Sequence, residues 1–125
     1  MKAKILVVDD SGLARRRARA ILEGAGFDVV EAEDGIAALE HYFVAKPDIV
    51  LLDLVMKGMY GLDVLAKLRE LDPSARVIVV SADVQTSSHE MVAEAGGTGF
   101  LIKPLDADAV LSLIASTLTE ARKCS

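Results

Sequence analysis

KILVVDDSG, residues 4–12, passes from a lysine through four consecutive apolar side chains into two adjacent carboxylates, a serine and a glycine. Three of the four apolar residues are β-branched, and apolar positions in unbroken succession fit a strand buried on both faces rather than one with a wet side. Asp9 and Asp10 then fall at the mouth of a hydrophobic core, where two like charges are costly without a compensating partner.

Working outward, DVVEA (28–32), DIVLL (48–52), RVIVVS (76–81) and GFLI (99–102) read as four more short strands. Segments of helical period separate them: Ala14, Ala18, Ile21 and Leu22; then Ile36, Leu39 and Phe43; Leu62, Leu65 and Leu68; Met91, Val92 and Ala95; and Val110, Ile114 and Leu118. Turn residues punctuate the alternation, with Gly24 and Gly26, Pro47, Asp72-Pro73 and Gly96-Gly97 at the expected breaks. The pattern predicts an α/β fold, (βα)5, in which a doubly wound five-stranded parallel sheet is covered by helices on both sides. With 125 residues the chain is read as a single domain, its core about 4–118, with no room for a second.

Composition narrows the function. A net charge of −5 argues against direct nucleic-acid binding, and no apolar run approaches the ~18 residues of a membrane span. The lone Cys124 permits no intrachain disulfide, and a reducing, cytoplasmic setting is expected.

In an open parallel sheet, ligands bind outside the carboxyl ends of the strands, where the strand order reverses. Asp9 and Asp10 end the first strand, Asp53 follows the third, Ser81 ends the fourth and Lys103 the fifth, so all five share one edge. In a 2-1-3-4-5 order the three carboxylates converge, and unit charges ~4 Å apart repel by about 4 kcal/mol at an effective dielectric near 20. A hard divalent cation relieves this. Oxygen ligands without His or Cys suit Mg²⁺ rather than zinc. Together with Lys103, such an ion balances the carboxylates, and a phosphoryl group could then be met by the metal, the ammonium and the Ser81 hydroxyl. The plainer alternative, that each Asp merely caps a helix, explains one such residue but not five polar groups at one edge.

VVDDS, LLDLVMKGMYGLDVL, VVSAD and GFLIKP together resemble the receiver domain of two-component response regulators, in its stand-alone, chemotaxis-regulator-like form with no output domain. That resemblance implies a flavodoxin-like fold and a phosphoprotein that is not an enzyme beyond catalysing its own phosphorylation and dephosphorylation. Asp53 would be the phosphoacceptor, supplied by the phosphohistidine of a sensor histidine kinase or phosphotransfer domain. Mg²⁺ would be bound by Asp10, Asp53 and the backbone carbonyl of Val55, with Asp9 acting mostly through water. Ser81 and Lys103 would contact the phosphoryl oxygens, a cis Lys103-Pro104 bond would aim the ammonium, and Phe100 would be the switch aromatic paired with Ser81. The fourth helix, fifth strand and fifth helix would form the surface for an unknown downstream protein, the molecule being a monomer or weak dimer.

Departures from the family pattern are also visible. Lys57 stands where many relatives have proline, Tyr60 where an acidic or amide residue is common, Phe100 in place of tyrosine, and Ser81 in place of threonine. Val55 has no polar side chain to orient water, whereas Asp83 does. Arg15, Arg16, Arg17 and Arg19 read as a solvated helix face, with kinase docking as the minority reading. His41 and His89 read as surface residues, Met56 and Met59 as loop packing. The competing function is a small Mg²⁺-dependent phosphohydrolase with an aspartyl nucleophile. Enzymes of the haloacid-dehalogenase type share its groups but carry D-x-D after the first strand, where this chain has adjacent carboxylates.

Overall fold

The computed structural model describes residues 3–56, 60–82 and 86–123, the last range without the side chains of 86–89 and 121–123. Expectations attached to Lys57, Met59, Asp83, Cys124 and the His89 side chain lie outside the described residues. Five strands, β1 (Lys4–Val8), β2 (Asp28–Ala32), β3 (Ile49–Asp53), β4 (Val77–Ser81) and β5 (Gly99–Ile102), alternate with α1 (Gly12–Gly24), α2 (Gly35–Ala45), α3 (Gly61–Leu71), α4 (Thr86–Glu94) and α5 (Ala107–Lys123). All pairings are parallel, in the order β2-β1-β3-β4-β5, as the alternating pattern predicts. The third strand is shifted by one residue from the sequence reading, so that Asp53 is its last member rather than the residue after it.

Strand alternation divides the core in two. Leu6, Val8, Val50, Leu52, Val77 and Val79 face α2, α3 and α4, while Ile5, Val7, Ile49, Leu51, Ile78 and Val80 face α1 and α5. Both sides of β1, β3 and β4 are therefore apolar, which is why their sequences do not alternate. The helix stripes hold for α1, α3 and α5. In α2 they do not: Ile36 and Phe43 are 67% and 47% exposed, and the buried face is Gly35, Ala38 and Tyr42. GIAALEHYFVA is apolar almost all the way round, so helical period alone fits more than one phase. Small residues let this helix lie close to the sheet, and the Tyr42 hydroxyl donates to Asp72 Oδ2 at 2.6 Å, tying α2 to the turn after α3.

Candidate functional site

Each strand ends where its helix must begin, and the turn chemistry sets the side chains that face the gap. After β1, Ser11 caps α1 by accepting the Ala14 N–H at 3.2 Å, while the Ser11 N–H itself donates to Asp9 Oδ1 at 2.9 Å. The Asp9 N–H continues the sheet by donating to the Ala32 carbonyl at 3.2 Å. Val8 pairs with Leu52, so Asp9 and Asp53 come next on neighbouring strands and lie side by side. One carboxylate oxygen from each of Asp9, Asp10 and Asp53 lies within 4.8 Å of the others. Asp9 and Asp53 are buried and Asp10 is exposed.

Lys103 follows β5, and its N–H donates to the Ser81 carbonyl at 2.8 Å. Its Nζ lies 2.9 Å from Asp9 Oδ2 and 3.3 Å from Asp53 Oδ1. The Lys103-Pro104 bond is cis, as the family pattern implies. Burial works against the ammonium, yet the Asp9 hydrogen bond and the Asp53 and Asp9 charges outweigh it and raise the Lys103 pKa. The Asp53 carboxyl is pushed above the ordinary carboxylate range, first by burial and then by the Asp9 charge, with Lys103 and the Val55 N–H pulling the other way. This is a site with surplus negative charge, only partly relieved by the lysine. All of its donors are oxygens, and no His or Cys joins the cluster among the described residues, a set suited to Mg²⁺.

The remaining sequence-predicted residues lie on β4, on β5 and in the turn after β3. Ser81 is buried at the end of β4. Val79 pairs with Phe100 and Ser81 with Ile102, and Val79 and Phe100 belong to the α2–α4 side, so Ser81 and Phe100 occupy neighbouring positions on that side. Asp53 and Asp9 instead continue the rows of Leu51 and Val7 on the α1–α5 side, where a cleft of about 360 Å³ opens between Leu13, Ala14 and Ala18 of α1 and Pro104-Leu105. Val55 is 65% exposed, and Met56 is buried in the core.

Sequence reasoning missed two contributors. Gly61 opens α3 against the back of the site: its N–H donates to the Leu54 carbonyl at 2.8 Å, and a Cβ there would meet the Asp53 carbonyl oxygen and come within 2.7 Å of Leu54 Cα. A G in the run MYGLDVL suggests a turn, but only the contact shows that no side chain fits. The arginines of α1 are the other case. Arg15 and Arg19 are not simply solvated: they pair with Glu31 of β2 at 2.9 and 2.6 Å, and Arg15 also donates to the Asp9 carbonyl at 2.7 Å.

Residues 5–115 match the family model described as the response regulator receiver domain. The chemotaxis protein CheY of Bacillus subtilis is 40% identical over 119 residues, which cover 94% of this chain and 99% of that protein. A CheY-like receiver domain structure from Methanospirillum hungatei superposes with a TM-score of 0.93 at 25% identity, covering 100% of both chains. A structure of the Borrelia burgdorferi CheX-CheY complex with BeF₃ and Mg²⁺ matches with a TM-score of 0.88 at 33% identity, covering 93% of this chain and 89% of that one.

Proposed function

The chain belongs to the response regulator receiver family, and from that premise we propose that it is a phosphorylation-dependent switch in which Asp53 accepts a phosphoryl group from the phosphohistidine of a histidine kinase or phosphotransfer domain. The observation that carries this reading is the convergence of Asp9, Asp10 and Asp53 within 4.8 Å, with Lys103 bridging Asp9 and Asp53. An Asp53 carboxylate oxygen attacks phosphorus as the bond from phosphorus to the donor imidazole nitrogen breaks, and the imidazole nitrogen takes up a proton. The product is an acyl phosphate on Asp53.

Asp10, Asp53 and the Val55 carbonyl would hold Mg²⁺, with Asp9 acting through water, and the ion would supply positive charge against the phosphoryl oxygens. Lys103 neutralises a second part of that charge, and its bridge fixes the Asp53 oxygen before the donor arrives. The Ser81 hydroxyl donates to a phosphoryl oxygen, and because Phe100 is its neighbour on the same side, that movement reaches the aromatic side chain. Shifting a two-state surface from about 1:99 to 99:1 takes roughly 5.5 kcal/mol, within reach of several charge-assisted hydrogen bonds. The surface so switched is α4, β5 and α5, which takes a downstream protein partner.

Similarity to CheY proteins at 40% identity supports a role in chemotaxis signalling, and a histidine kinase donor would meet the protein in the cytoplasm. No described helix is long and apolar enough to cross a membrane. The phosphohydrolase alternative gains nothing from the structure or from the family. Intact-protein mass after incubation with acetyl phosphate tests the proposal. A labile adduct of about 80 Da should require both Mg²⁺ and Asp53, and its formation in Asp53→Asn or in excess chelator would overturn the assignment.

A further inference from the structure

Of the three converging carboxylates, Asp9 and Asp53 are buried against the sheet and Asp10 stands beyond it. The Asp9 carboxylate is held by the Ser11 N–H and by Lys103, and its N–H is held by the Ala32 carbonyl. Asp53 sits inside β3 and is braced by Lys103. Asp10 lies beyond the strand, exposed, and its direction depends on how the peptide plane between Asp9 and Asp10 is turned.

A side chain of α1 clamps that plane. Arg15 Nη1 donates to the Asp9 carbonyl at 2.7 Å, and the same guanidinium places Nε 2.9 Å from Glu31 Oε1. Glu31 is itself fixed by Arg19 Nη1 at 2.6 Å, and Arg19 is braced from the other side by Glu23 at 3.2 Å. Arg15 is well shielded, its side chain 19% exposed against 41% for Arg19. A planar guanidinium that bonds a carboxylate with one nitrogen and a carbonyl with another has one orientation, which a single ammonium cannot reproduce. Through the Ala32 carbonyl and through Glu31, β2 thus fixes both the amide and the carbonyl of Asp9. The Glu31 carboxyl is held below its ordinary range by the Arg19 hydrogen bond first, with burial opposing and Arg15 adding to the effect, so the ladder stays charged at neutral pH.

We infer that Arg15, oriented by Glu31, is a positioning residue that turns the Asp9-Asp10 peptide so that the Asp10 carboxylate joins Asp9 and Asp53 in one cation site. The inference rests on the proposed Mg²⁺ site and extends it to β2, the strand farthest from the switch surface. Groups that orient metal ligands from behind typically change metal affinity 10- to 100-fold when removed. Arg15 works on the ligand through its backbone rather than through its side chain.

The test is Mg²⁺ titration by calorimetry on metal-free wild type, Arg15→Lys and Glu31→Gln, each checked for folding by circular dichroism. Arg15→Lys keeps the charge and loses the fork, so a dissociation constant raised about tenfold is expected, with Glu31→Gln showing a similar loss. In the acetyl phosphate reaction, the Mg²⁺ concentration for half-maximal rate should rise by the same factor, while the rate at saturating Mg²⁺ stays within about twofold of wild type. Wild-type affinity in a folded Arg15→Lys protein would overturn the inference and leave the proposed function standing. A wild type that binds no Mg²⁺ would overturn both. Should Glu31→Gln fail to fold, Arg15→Lys decides alone.

Discussion

The two sides of the sheet are finished differently at the edge where the carboxylates stand. On the α2–α4 side the core closes right up to Asp53: Leu54, Met56 and Val64 are buried, and Gly61 touches the strand backbone with no space for a Cβ. On the α1–α5 side, the side toward which Asp53 and Asp9 point, a cleft of about 360 Å³ remains between α1 and the Pro104-Leu105 turn. Asp53, as the nucleophile we propose, needs both conditions at once. Its backbone must be immobile, because a misplacement of about 1 Å can cost 10²-fold in rate, and its side chain must be reachable. The molecule meets the first demand from behind and the second from in front.

Substituting Gly61 strikes this contrast hardest. Gly61→Ala forces backbone apart at Asp53 and Leu54, so a stability loss of about 3 kcal/mol and an acetyl phosphate rate roughly 100-fold lower are expected, read by urea denaturation and by adduct formation. A near-neutral Gly61→Ala would mean that the rear wall yields. A matched pair sharpens the comparison next. Ala38 is 0% exposed on the closed side, whereas Ala14 lines the cleft. Ala38→Leu should cost about 1–3 kcal/mol and Ala14→Leu less than about 0.5 kcal/mol in the same urea titration. Equal costs would show the two sides to be packed alike.

A smaller effect concerns charge. Because burial and Asp9 raise the folded-state pKa of Asp53 above its unfolded value, the ionised group opposes folding, and that penalty is complete only above the folded pKa. In chelator, Asp53→Asn should therefore melt a few degrees higher than wild type at neutral pH. The gap should close as the pH falls through the folded pKa toward the usual carboxylate range, where wild-type Asp53 is protonated. A gap independent of pH would assign the gain to packing instead. Arg15→Lys leaves both walls alone and probes only the turn at Asp9.

Much of this was readable from residues 4–12 and their counterparts. Unbroken apolar runs specify strands covered on both sides, and polar residues at the ends of four of them specify a shared edge, so the convergence of Asp9, Asp10 and Asp53 beside Lys103, with Ser81 at the same edge, followed from topology. What stayed hidden depends on contacts between distant elements. The phase of α2 is decided by how closely Gly35 and Ala38 approach the sheet and by where the Tyr42 hydroxyl finds Asp72, neither of which helical period records. Arg15 and Glu31 are 16 residues apart, and their pairing requires the register of β1 against β2. At Gly61 a missing side chain leaves no pattern to read.

Hydrogen exchange, followed peptide by peptide with and without acetyl phosphate and Mg²⁺, tests most directly whether a held backbone and a responsive far edge are separate parts of one device. Once the adduct forms, protection should change at Ser81 and along β5, where Phe100 lies, while Leu54 and the first turn of α3 at Gly61 exchange as before. A phosphorylated protein with β5 unchanged, or with the Leu54–Gly61 contact loosened, would contradict the division of labour between the two sides of the sheet.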